Sequence, residues 1–193
     1  MTEPVRTVGD AKEPKGIKGP GHAKGTEQMA SSFERCSSAE ALLEEDAICS
    51  VPLACIQKLV VGKGRLSLEV ALSPDAPRFT DARLAELACR RCPALPAHTC
   101  INSSGPTFGA VMQHTPVPHL LEHLIIDAQV RDPATEPQQR FVGTTAWTDQ
   151  EAATAHIEVN FFDDIVALRA VSGALALLSD ILAEYENGES GRR

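Results

Sequence analysis

Ile56-Gln57-Lys58-Leu59-Val60-Val61-Gly62-Lys63-Gly64-Arg65-Leu66-Ser67-Leu68-Glu69-Val70-Ala71-Leu72 is the stretch that decides the fold class of this chain. In its second half Leu66, Leu68, Val70 and Leu72 alternate with Arg65, Ser67, Glu69 and Ala71, the period of two that a half-buried strand requires. The Gly62-Lys63-Gly64 step before it, preceded by a second β-prone run, reads as the turn of a hairpin. A hairpin with one apolar face needs a cover, and the rest of the chain supplies candidates.

Working outward, Ser73 to Pro77 turns the chain, and Thr80 or Asp81 can cap a helix carrying Leu84, Leu87 and Ala88 that Pro93 ends. Residues 139–147 and 155–162 read as two further strands joined by the polar residues 148–154, a second hairpin. Along the last strand Ile157, Val159 and Phe161 face one way, and His156, Glu158, Asn160 and Phe162 the other. From Asp163 an amphipathic helix runs through Ile165, Leu168, Val171, Leu175, Leu178 and Leu182 and ends near Asn187-Gly188. The expected architecture is α+β, with about four mostly antiparallel strands in one sheet covered by about three helices. Residues 1–30, rich in Gly, Pro and Lys, read as a disordered tail. Residues 31–55 read as a peripheral helical segment that Ser38 can cap, and residues 56–187 as the α+β domain.

The chain has 193 residues, 43% of them hydrophobic, which gives room for one real core. A formal net charge of -8 without any basic cluster argues against nucleic acid as a partner. No apolar run reads as a bilayer span and no signal-peptide core is seen, so no membrane partner and a cytoplasmic location are expected. In that compartment the six cysteines are expected as thiols. Cys89-Arg90-Arg91-Cys92 has no second C-x-x-C to complete a four-thiolate site, and it reads as core packing, with a regulatory disulfide as the alternative.

The chemistry is concentrated in His119-Leu120-Leu121-Glu122-His123, an H-x-x-E-H sequence. Two imidazoles four apart share a helix face and can grip one Zn2+ ion, while Glu122 can act as general base towards a water beside it. Pro118 suits the first turn of such a helix, Thr115 is a candidate cap, and Leu120, Leu121, Leu124, Ile125 and Ala128 form an apolar stripe from which the polar cluster is offset. The same spacing is also compatible with a solvated helix face. A catalytic zinc needs a third protein ligand. Cys100, one loop before the helix, is the first candidate and Glu158, on the polar side of the last strand, the second; His98 and His156 rank below them, and His114 orients the loop.

From Ile56 to about Leu182 the order of these pieces resembles the amino-terminal domain of cyanophycin synthetase. The resemblance rests on Leu66 to Leu72, on Pro77-Arg78-Phe79-Thr80-Asp81-Ala82-Arg83-Leu84, on His98-Thr99-Cys100, on Thr115 before the H-x-x-E-H residues, on Gln129 and on the closing strand and helix. It implies a metal-dependent peptidase acting on cyanophycin-like, arginine-bearing peptides. Family arginines are absent after Cys100 and at Gly143-Thr144-Thr145, a departure that touches the substrate. The chain lacks the synthetase's ATP-using domains, which implies a stand-alone relative with a separately encoded ligase as possible partner. The competing class is a non-catalytic accessory or binding module of the same fold.

Overall fold

The computed structural model describes residues 52–190. The expected tail and nearly all of the peripheral segment, including Ser38, His22, Cys36 and Cys49, lie outside the described residues. Strands β1 (Ala54–Val61) and β2 (Arg65–Leu72) form the first hairpin, so the sheet takes in Ala54 and Cys55 as well. Gly64, at φ 68°, adopts the left-handed backbone that a side chain would resist, and Gly62 N–H donates to the Arg65 carbonyl across the turn at 2.8 Å. Helix α1 (Ala82–Arg91) and helix α2 (Val117–Arg131) come next, then strands β3 (Gly143–Asp149) and β4 (Thr154–Asn160), and helix α3 (Asp164–Ser190) closes the chain.

The four strands make one antiparallel sheet in the order β1-β2-β4-β3, which joins the two hairpins through β2 and β4. Leu66, Leu68 and Val70 are fully buried, as are Ala155, Ile157 and Val159 beside them, and they form the sheet's contribution to the core. Each such aliphatic side chain contributes roughly 1.5–3 kcal/mol by leaving water. Helices α2 and α3 pack on this apolar face, α2 against β3 and β4 and α3 against β1, and α1 lies against α3. The fold of the described residues is α+β, one four-stranded antiparallel sheet with three α-helices.

Two helix starts differ in how they are satisfied. At α1 the Asp81 carboxylate accepts the Leu84 amide at 2.7 Å, the cap the sequence proposes. At α2 no side chain caps, because tertiary contacts do it: Val117 N–H donates to the Arg78 carbonyl at 2.9 Å, and Pro118 has no N–H to satisfy. Thr80, the other proposed cap of α1, instead bonds the Thr115 backbone, its hydroxyl accepting the Thr115 amide at 2.8 Å. Thr115 is thereby fixed in place with its own hydroxyl free for a different partner.

The sequence understates how central α2 is. Leu120, Leu121, Leu124 and Ile125 are buried as the stripe predicts, but so are Glu122 at 4% and His123 at 3% exposure on the other side. Helix α3 covers one flank and β3 and β4 lie against another, so the polar cluster is largely buried, with His119 half-buried. The apolar closing helix also corrects the membrane expectation in part: Asp164–Gly188 is long and apolar enough to cross a bilayer, with a mean hydropathy of 1.9, and 44% of that window is buried inside the fold.

Candidate metal centre

The site begins with a loop that doubles back before α2. His98 and Cys100, two apart in extended chain, project to the same side, and the return segment is tied to them by Phe108 N–H to the His98 carbonyl (2.8 Å) and Cys100 N–H to the Pro106 carbonyl (3.1 Å). Asn102 closes the tip, its carboxamide oxygen accepting from the Ser104 and Gly105 amides. This Asx-type turn holds the loop that the sequence reads only as Gly- and Pro-bearing connection.

Against that loop α2 presents His119, Glu122 and His123. One ligand atom from each of Cys100, His119 and His123 lies within 4.8 Å of the others, so these three side chains can hold a metal ion. Cys100 Sγ stands 3.5 Å from His119 Nε2. The other nitrogen of His119, Nδ1, is 2.7 Å from the Thr115 hydroxyl. When Nε2 carries the lone pair, Nδ1–H can donate to Thr115 Oγ1, so the residue expected to cap the helix instead partners a side chain of this group. Phe108, fully buried, stacks on His123 at 3.9 Å between ring centroids and meets His119 edge-on at 5.2 Å. Both imidazoles are therefore clamped by one apolar ring.

Burial dominates the electrostatics. It pushes the His119 imidazole below its ordinary range, and it lowers His123 to about 3, with the neighbouring His119 and His98 rings opposing its charge further. Both rings are held neutral, the form that binds a metal. Glu122 goes the other way: burial raises its carboxyl, and the hydrogen bond from Thr145 Oγ1 to Glu122 Oε2 at 2.5 Å offsets only part of that rise. A carboxylate so placed is a stronger base than one in water.

Glu122 has a seat on the sheet. Gly143 and Thr145 are on the inward side of β3, and a Cβ built at Gly143 would stand 2.7 Å from Glu122 Oε1 and 2.8 Å from its Cγ and Cδ. Only a residue without a side chain lets the helix carboxylate lie so close to the strand. The Gly143-Thr144-Thr145 stretch thus supplies the space and the hydroxyl that position Glu122, a role the sequence reading did not give it.

Cys100, His119, Glu122 and His123 all line a cavity of about 1060 Å³ between α2, the loop at residues 98–101 and residues 135–145. Its walls include Ile126, Val130 and Phe141, and its charged lining residues are Glu122, Glu136 and Arg140. The volume is slightly above the range usual for small-molecule pockets.

Glu158 is not brought to this group. On β4 the side chains that face the helices are Ala155, Ile157 and Val159, so Glu158 is on the opposite face of the sheet. There it lies 3.3 Å from Arg65, 3.4 Å from the Ser67 hydroxyl and 3.6 Å from His156, while His156 is 2.8 Å from Glu69. Glu158, the second candidate, and His156, ranked below it, thus belong to a polar network away from the metal group. His114 stacks on Phe79, with ring centroids 5.5 Å apart. Cys55, Cys89, Cys92 and Cys100 are free thiols. Burial first and the Asp127 charge second push Cys92 up to about 11, and Cys89 points to the Met112 sulfur at 3.8 Å, which fits core packing and not a redox pair. No protein family, no curated protein and no solved structure matches this chain.

Proposed function

We propose that this protein is a zinc-dependent hydrolase of peptide amide bonds, with Cys100, His119 and His123 as the metal ligands and Glu122 as the general base. The observation that carries the reading is the convergence of those three donors with a buried carboxylate on one large cleft. One thiolate and two imidazoles form a donor set that would suit Zn2+, and three protein ligands are the number that catalytic zinc sites use. Bound there, the ion would polarise a scissile carbonyl as a Lewis acid.

The chain's own residues account for the proton traffic. Glu122, raised by burial, takes a proton from the attacking water and returns it to the leaving amine. Thr145 donates to Oε2 and leaves Oε1 for that work. The apolar walls at Ile126, Val130 and Phe141 keep bulk water from the carboxylate and admit a peptide backbone. The substrate proposed first is the arginine-bearing, cyanophycin-like peptide that the resemblance implies, with Glu136 the acidic group on the outer wall of the cleft. A cytoplasmic location and a separately encoded ligase partner belong to the same proposal and are checked by fractionation and by co-purification.

The test uses purified full-length chain loaded with zinc and offered both β-Asp-Arg polymer and ordinary peptides. Cleavage is expected with about one bound zinc per chain, and Glu122→Gln is expected to keep the metal while losing roughly 100- to 10,000-fold in rate. Bound zinc with no cleavage of any peptide in the panel would instead identify a non-catalytic binding module. A chain that binds no zinc refutes the proposal outright.

A further inference from the structure

Beneath the metal group lies a chain of polar side chains that neither holds the metal nor lines up with the proton traffic of Glu122. His98 Nδ1 is 3.3 Å from His123 Nδ1. On its other side His98 Nε2 stands 3.5 Å from Asp127 Oδ1, at the outer limit of hydrogen-bond reach. Asp127 in turn receives Arg131 at 2.6 Å, and both come from the same helix as His123, at successive steps of four residues. Asp127 is 2% exposed and His98 is largely covered, so the contacts between His123, His98 and Asp127 are interior ones, while the Arg131 side chain that ends the series is exposed.

We propose that His98 is a positioning residue: held by Asp127, it receives the Nδ1 proton of His123 and so presents the bare Nε2 of His123 to the metal. The proposal rests on the reading of His123 as a ligand. Its logic is donor and acceptor counting. Asp127 is kept ionised although its burial works against the charge, because the hydrogen bond from His98 and the Arg131 guanidinium together prevail. An ionised carboxylate only accepts, so the proton between it and His98 belongs to His98 Nε2. A His98 that carries its single proton at Nε2 offers a lone pair at Nδ1, and across the 3.3 Å contact His123 is then the donor, from Nδ1. His119 has a different partner at the same atom, the Thr115 hydroxyl, which can accept an Nδ1 proton. Each ligand imidazole thus has its own partner: a hydroxyl for His119, and a histidine backed by a carboxylate and a guanidinium for His123.

The arrangement explains the H-x-C spacing physically. One extended segment delivers the thiolate at Cys100 and, two residues earlier on the same side, the imidazole that orients the ligand facing it. It also explains why a buried, ionised Asp127 is tolerated on α2 in the interior of a small domain.

The test reads the tautomer directly, with no dependence on turnover. Long-range nitrogen–proton correlation spectra of the metal-free full chain, recorded at about pH 8 where histidines are ordinarily neutral, are expected to show His123 protonated at Nδ1. In His98→Phe the resonances are expected to move towards the Nε2-protonated form usual for free imidazole, with zinc affinity falling roughly 10- to 100-fold. His98→Gln, whose amide can accept from His123 and donate to Asp127, is expected to restore both. An Nε2-protonated His123 in the native chain, or a tautomer that does not change in His98→Phe, overturns the proposal. Because the native spectrum needs neither zinc nor substrate, failure of the hydrolase reading leaves this result interpretable.

Discussion

Acidifying the metal-free protein from about pH 7 to about pH 5 is expected to destabilise it by about 2 kcal/mol through His123 alone. In the unfolded chain this imidazole takes up a proton near 6.5, whereas in the folded one it does so only near about 3. Between those values the unfolded state binds more protons, so the stability is fully present above the unfolded value and drains away as the pH falls towards the folded one. At 1.36 kcal/mol per unit the whole window is worth about 5 kcal/mol, of which about 2 kcal/mol is lost by pH 5. With only 3% of His123 exposed, solvent screening relieves little of it. His119, lowered by burial, adds in the same sense; Glu122, raised by burial, opposes it because its folded form binds the extra proton. The assay is urea denaturation at both pH values in the presence of chelator, comparing the native chain with His123→Gln. The variant is expected to lose about 2 kcal/mol of the pH dependence. Equal slopes for the two proteins would refute the burial argument for His123.

Two further substitutions probe the parts around the metal ligands. Gly143→Ala forces the Glu122 carboxylate back by about 0.7 Å to restore ordinary contact from 2.7 Å; turnover is expected to fall roughly 10- to 100-fold with zinc content unchanged, and full activity would deny Glu122 its seat. Thr115→Val keeps the shape but removes the partner of His119 Nδ1, and a competition titration with a zinc chelator is expected to show affinity weakened about 10-fold or more.

The fold was legible because its decisive residues obey a single period. Leu66, Leu68, Val70 and Leu72 alternate without interruption, and all four are buried. The same rule was available for Glu158 and was enough to exclude it. In a sheet covered on one side, the covered residues of β4 must be Ala155, Ile157 and Val159, which turns Glu158 outward whatever the chemistry of its carboxylate. Cys100, by contrast, reaches the group because the loop carrying it folds back on itself before α2 begins. That return is set by backbone pairing across six to ten residues and by the Asn102 turn, a local hairpin-like loop whose direction relative to α2 no period in the sequence announces.

What local reading missed on α2 is a second periodicity superposed on the first. His119, His123, Asp127 and Arg131 follow one another at four-residue intervals, a continuous polar stripe, yet only its first two members stand in the H-x-x-E-H sequence. A polar stripe on an exposed helix is solvated and uninformative. On a helix with Glu122, His123, Asp127 and Gln129 all buried, polar groups need partners, and most come from elsewhere: Thr115 for His119, Thr145 for Glu122, His98 for His123 and, with Arg131 of the same helix, for Asp127, and the Asn160 carbonyl for Gln129 Nε2, while Gln129 Oε1 has none among the described residues. Burial of α2 is a tertiary fact, settled by the sheet beneath it and α3 beside it. Once that burial is granted, the positioning residues follow from hydrogen-bond accounting, and Thr115, Thr145 and His98 take their place in the site for the same reason that an unpaired polar group in the core is costly.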